Sequence, residues 1–166
     1  MPILNNSSLE FVSGSPQQTR RLGMRLGELL RGGELICLEG ELGAGKTCLA
    51  QGIGLGWGAD RLLRSPSFTL INEWERPGDR QRLYHMDMYR LAGADEAWAL
   101  GLADLWEGED VCVIEWPERV TALLPGEFLW ITLSIVDDTR RQQIFNASGE
   151  RYKKLLQRFK HVAFGG

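Results

Sequence analysis

The chain has 166 residues, 43% of them hydrophobic and 25% charged. That balance suits one ordinary globular domain and excludes disordered, fibrous and disulfide-rich classes. Nineteen Lys and Arg against 22 Asp and Glu give a formal net charge of -3, which excludes a uniformly basic nucleic-acid binder, so any RNA contact must be local or borrowed from a partner.

Ser15 reads as a helix N-cap with Pro16 at the first helical position, where its missing N–H costs nothing. Leu22, Leu26, Leu29 and Leu30 recur at helical spacing until Gly32-Gly33 ends the run. Residues 34–39, centred on Leu35-Ile36-Cys37-Leu38, predict a strand buried on both faces of a parallel sheet. A glycine-rich loop follows, and then a helix from Lys46 to about Gly54. The series Gly52, Gly54, Gly56, Gly58 lacks the spacing of a dinucleotide fingerprint and is read as fraying the helix end.

Residues 68–74 and 83–88 predict two strands joined through Pro77-Gly78-Asp79 in a hairpin, which makes the sheet mixed. Residues 95–106 are broadly helical, 111–114 form a short apolar strand, and 128–136 and 142–147 complete the strands. The chain ends in a basic helix over 149–160 carrying Arg151, Lys153, Lys154, Arg158 and Lys160, read as a solvated face rather than an RNA contact. No repeat or linker divides it. The expectation is one three-layer α/β domain over residues 1–166 with a mixed, largely parallel sheet.

Cys37, Cys48 and Cys112 lie far apart without zinc-ligand spacing. With no secretory leader at residues 1–5 and no run near the roughly 18 apolar residues of a membrane span, free thiols in the cytoplasm are expected, away from any membrane.

Gly40-Glu41-Leu42-Gly43-Ala44-Gly45-Lys46-Thr47 matches the Walker A pattern between a buried strand and a helix, the context such a loop requires. Glycines permit backbone conformations closed to other residues, so successive N–H groups can face a phosphate at the positive end of the helix, each worth about 1.5–3 kcal/mol. Lys46 is the sole lysine before Lys153 and is expected to reach the β- and γ-phosphates. Thr47 offers a hydroxyl of the kind that ligates magnesium.

Two strand-end acids complete the set. Val111-Cys112-Val113-Ile114-Glu115 is an apolar strand ending in a carboxylate, the Walker B arrangement, which makes Glu115 the metal-side residue. Alternation over 83–88 puts His85 and Asp87 on one face and Tyr84, Met86 and Met88 on the other. Asp87 either orients water as a base or pairs with Arg90, and His85 reads as a hydrogen-bonded structural residue. Ser65-Pro66-Ser67-Phe68 sits where nucleotide switches keep a hydroxyl-bearing segment. Trp116 offers a flat aromatic at the site mouth or in the core.

Four motifs occur in order: GELGAGKT at 40–47, SPSFTL at 65–70, HMDMYRL at 85–91 and IEWPE at 114–118. Together they resemble the TsaE (YjeE) family, bacterial ATPases required for threonylcarbamoyladenosine modification of tRNA, over about residues 9–136. The resemblance implies a P-loop fold that binds ATP with Mg2+, held by Lys46 and Thr47 with Glu115 completing the metal site. It further implies a catalytic role for Asp87, a nucleotide-side role for Trp116, and a border to the adenosine around residues 14–19. The partners it implies are TsaD and TsaB, which carry the transferase chemistry, with tRNA reached indirectly through that complex. Two positions depart from the family: Cys48 stands where a second threonine is usual, and Ser67 where threonine is usual. Serine keeps the hydroxyl. A thiol is a weak donor, so the backbone N–H of Cys48 is its remaining contact to an α-phosphate.

A regulatory GTPase needs Asn-Lys-x-Asp and Asp-x-x-Gly, and neither pattern occurs. Two other readings stand beside the ATPase. One is a small-molecule kinase, for which no arginine-rich lid is visible. The other is a nucleotide-gated binding module in which ATP sets partner affinity and hydrolysis is incidental.

Overall fold

The apolar run at 35–38 forms the middle of a sheet in the computed structural model, which describes residues 3–4, 7–64 and 71–165. In chain order the elements are β1 (Ile3–Leu4), β2 (Ser8–Ser13), α1 (Pro16–Gly27), β3 (Leu35–Glu39), α2 (Lys46–Trp57), β4 (Arg61–Arg64), β5 (Ile71–Glu75) and β6 (Arg82–Asp87). They continue with α3 (Ala94–Ala99), α4 (Leu102–Trp106), β7 (Val111–Glu115), a 3-10 helix (Pro117–Leu123), β8 (Phe128–Ile135), β9 (Arg141–Ser148) and α5 (Glu150–Phe164). The strands lie in the order β1-β2-β9-β8-β3-β7-β6-β5-β4. The sheet is mixed, as expected. Its parallel part is the centre, where β8, β3, β7 and β6 pair, and both flanks are antiparallel.

Side-chain alternation divides the core in two. Ile36, Leu38, Leu83, Val111 and Val113 face α1, α2 and α5, where Leu22, Leu26, Leu49, Ile53, Leu155 and Phe159 meet them. Leu35, Cys37, Met86, Cys112 and Ile114 face the other way, onto Ala97, Leu102, Trp106 and Val120 of α3, α4 and the 3-10 helix. Because β3 and β7 are buried on both faces, continuous apolar runs rather than alternating ones encode them. The three-layer α/β arrangement follows. Among the described residues no helix is long and apolar enough to cross a membrane.

Ser15 caps α1 as its sequence indicates, its Oγ accepting the Gln18 amide at 3.1 Å with Pro16 following. The glycine series in α2 corrects the sequence reading. The helix does not fray at Gly54 but runs to Trp57 and stops at Gly58, which is left-handed at φ 106°. Gly52 and Gly56 of α2, and Gly23 and Gly27 of α1, bring the two helix backbones into contact: a Cβ on Gly56 would lie 2.0 Å from the Met24 carbonyl oxygen, and one on Gly27 2.1 Å from that of Ile53. Close approach, not flexibility, is what these glycines supply.

Two further differences have identifiable causes. The helical stretch expected at 95–106 is two short helices, α3 and α4, because Gly101 takes φ 77° between them. β2 was not foreseen. It pairs with β9 from Ser8 opposite Asn146 to Ser13 opposite Arg141, so its strand character comes from that long-range partner. The expected 68–74 strand appears as β5, paired antiparallel with β6. The SPSFTL motif at 65–70 lies outside the described residues.

Candidate functional site

β3, β7 and β6 are parallel neighbours, so their carboxyl ends open on one edge of the sheet, the edge where α/β proteins place ligands. β3 leaves that edge through residues 40–45 and returns as α2. Gly43 and Gly45 take φ 83° and 102°, a region that L side chains rarely adopt. Gly40 has no room for a Cβ, which would sit 2.5 Å from the Leu133 carbonyl oxygen. Gly45 is the N-cap of α2 and supplies no side-chain cap, and no acid lies in the helix's first turn. The opening amides of α2 are therefore left for an anion, at the positive end of the helix.

The residues named from sequence divide between two adjoining hollows. Leu42, Gly43, Gly45, Lys46, Thr47, Cys48, Asp87, Glu115 and Trp116 line one cavity of about 300 Å³. Gly40 and Glu41 line a neighbouring one of about 380 Å³ that shares Trp116. Ala44 is fully buried, and its N–H donates to the Glu41 carbonyl at 3.1 Å, which closes the turn inside the loop. The loop is further pinned by Arg141, whose Nε donates to the Gly43 carbonyl at 3.0 Å.

Lys46 is buried. Its Nζ donates to the Gly40 carbonyl and lies 3.8 Å from the centre of the Trp116 ring. Burial pulls the ammonium below the ordinary lysine pKa, with Glu115, Glu118 and Asp87 opposing that pull. Trp116 holds φ 60°, ψ 47°, the sole non-glycine residue with positive φ among the described residues. Such a conformation for a bulky residue costs of order 1–3 kcal/mol and has to be fixed by its surroundings. Its N–H donates to Leu38 at 3.2 Å, Pro117 starts the 3-10 helix behind it, and the Tyr89 ring sits 4.8 Å away.

Glu115 and Asp87 are register partners at the ends of β7 and β6. Both extend on the α2 side, since Ile114 and Met86 beside them belong to the opposite core. Asp87 accepts the Tyr89 amide at 2.9 Å, and among the ion pairs of the described residues none joins it to Arg90. Glu115 is buried, with Oε1 3.4 Å from the Thr47 hydroxyl and Oε2 2.6 Å from His85 Nε2. The Cys48 thiol donates to the Pro16 carbonyl at 3.1 Å.

Among the described residues no group of three or more His, Cys, Asp or Glu side chains could hold a metal by itself. The oxygen pair of Thr47 and Glu115 fits a hard divalent ion that completes its shell with water and phosphate oxygens. Sequence reasoning set His85 aside as structural. The alternation that placed it beside Asp87 was the available signal, but its contact with Glu115 depends on the β6–β7 register. The arrangement as a whole offers anion-binding amides, a lysine, a hydroxyl–carboxylate pair and a second carboxylate around one small cavity.

Residues 13–144 match the family described as threonylcarbamoyl adenosine biosynthesis protein TsaE. Proteins named tRNA threonylcarbamoyladenosine biosynthesis protein TsaE are similar over most of their length. The one from Bacillus subtilis is 36% identical over 149 residues, 90% of this chain and 92% of that protein. The one from Treponema pallidum is 42% identical, covering 81% of this chain and 97% of its own, and the one from Streptomyces coelicolor is 46% identical, covering 80% and 93%. The crystal structure of Bacillus subtilis YdiB superposes with a TM-score of 0.77 at 30% identity, over 97% of each chain.

Proposed function

The chain belongs to the TsaE family of tRNA threonylcarbamoyladenosine biosynthesis proteins, and from that premise we propose that it is the ATP-binding and ATP-hydrolysing member of this modification, acting with TsaD and TsaB. The observation that carries the reading is the single cavity where the uncapped start of α2, Lys46, Thr47, Asp87 and Glu115 converge.

In this reading the amides at the start of α2 and the Lys46 ammonium bind the β- and γ-phosphates. Thr47 and Glu115 would hold Mg2+, which would supply charge neutralisation for those phosphates. Asp87 has one oxygen fixed by the Tyr89 amide. Its carboxylate orients a water and accepts the proton as the water oxygen bonds to the γ-phosphorus. The bond from that phosphorus to the β–γ bridging oxygen breaks, and ADP leaves with phosphate. Trp116 walls the mouth of the cavity and contacts the Lys46 ammonium, holding it until phosphate replaces the Gly40 carbonyl. Residues 14–19 lie beside the loop through the Cys48–Pro16 contact, which supports their bordering the adenosine. The tRNA is reached through the partners, consistent with the acidic net charge.

Steady-state phosphate release with and without TsaB and TsaD tests this. A low rate alone that rises in the complex is expected; equal rates would remove partner activation. Failure of the isolated chain to bind ATP would remove the reading itself.

A further inference from the structure

A buried carboxylate that serves a cation needs its second oxygen held, because the terminal torsion of a glutamate is broad and lets the two oxygens exchange places. Glu115 is buried, and two partners divide its oxygens: Oε2 meets His85 Nε2 at 2.6 Å and Oε1 faces the Thr47 hydroxyl at 3.4 Å. The sheet explains how His85 reaches. It lies opposite Val113 on the parallel neighbour β7, two positions before the Asp87–Glu115 pair and on the same face. Two residues along a strand span roughly 6.6 Å, a gap that the extended imidazole and the glutamate side chain close together. His85 is thus one layer beneath the cavity. It is absent from the cavity lining that includes Asp87 and Glu115, and instead lines a separate hollow of about 290 Å³ with Trp74, Leu83 and Ala50.

We propose that His85 is the positioning residue for the metal-side carboxylate: by donating from Nε2 to Oε2 it presents Oε1 of Glu115 to Thr47 and to the divalent cation of a bound nucleotide. This rests on the ATP–Mg2+ reading above. His85 contacts neither phosphate nor the attacking water and acts through Glu115 alone. Partners that hold a metal-side carboxylate in this way typically contribute 10–100-fold in metal affinity.

The test titrates a fluorescent ATP analogue into the full-length protein with and without Mg2+, and takes the ratio of the two affinities as the metal-dependent gain. His85→Leu is expected to reduce that gain 10–100-fold while the metal-free affinity stays within about twofold. His85→Gln, whose side-chain amide can donate at a similar reach, is expected to restore most of it. In a Glu115→Gln background, His85→Leu is expected to change nothing further. An unchanged gain in His85→Leu overturns the proposal. So does an equal fall in both affinities, which would make His85 a fold element only, and so does failure of His85→Gln to recover the gain. If the unsubstituted protein shows no metal-dependent gain, the ATP–Mg2+ reading fails first and this proposal with it.

Discussion

Lys46 Nζ rests 3.8 Å above the centre of the Trp116 indole while donating to the Gly40 carbonyl. An ammonium held by a carbonyl and an aromatic face is partly desolvated already, so transferring it to phosphate exchanges weak partners for a strong one. Lys46→Ala is expected to abolish tight ATP binding in calorimetry. Binding of ATP to the unsubstituted protein should change tryptophan emission, and Trp116→Phe should remove that change while weakening binding no more than about 30-fold, in line with the ~0.5–2 kcal/mol of a cation–π contact.

Asp87→Asn and Glu115→Gln keep the volume of the cavity and remove a carboxylate each. Both variants are expected to bind ATP measurably and to slow phosphate release, Asp87→Asn by about 100-fold or more, the usual range for a lost general base. Single-turnover assays check this. Unaltered turnover in Asp87→Asn would strip that residue of its catalytic role.

The three cysteines should separate cleanly by reactivity. Cys37 and Cys112 are buried, and Cys48 is half-exposed. Burial, with Asp110 adding to it, raises the Cys112 thiol from 9.0 to about 12, and burial raises Cys37 as well. At neutral pH a thiol reagent is expected to modify Cys48 alone, and bound ATP should slow that reaction because Cys48 lines the phosphate-loop cavity. The raised Cys112 pKa also stabilises the fold, since the neutral thiol is favoured inside. That stability is fully present below pH 9.0 and is lost as pH rises toward about 12. Alkaline melts followed by circular dichroism should show the decline.

Glycines two positions apart in α2 should respond with opposite sign. A Cβ at Gly56 would meet the Met24 carbonyl oxygen at 2.0 Å, whereas one at Gly54 meets nothing within 4 Å. Gly56→Ala is expected to destabilise by at least 2–3 kcal/mol through overpacking, and Gly54→Ala to stabilise by about 0.5–1 kcal/mol through helix propensity. Urea unfolding of both variants measures the difference.

The parts of the site legible in the sequence were those encoded by short-range pattern. The phosphate loop is a contiguous string, Glu115 ends an apolar run, and Asp87 and His85 share a parity that the strand preserves. What escaped needs a partner distant in sequence. The glycines of α2 read as weakness because propensity carries no information about α1, the element they touch. β2 carries no local signal of its own because its pairing lies with β9, some 130 residues away. The tie between His85 and Glu115 depends on which strands are neighbours, and nothing local to either residue states that.

Where α1 crosses α2, main chain meets main chain with no layer of side chains between them. Most protein interiors absorb sequence drift by compensation, one residue growing as its neighbour shrinks. That latitude is closed at this crossing, because hydrogen is the smallest substituent there is. The pair of helices that takes up the chain from the phosphate loop on one side and carries residues 16–19 on the other therefore sits at a fixed spacing, and a larger residue along its seam finds no neighbouring side chain to trade volume with.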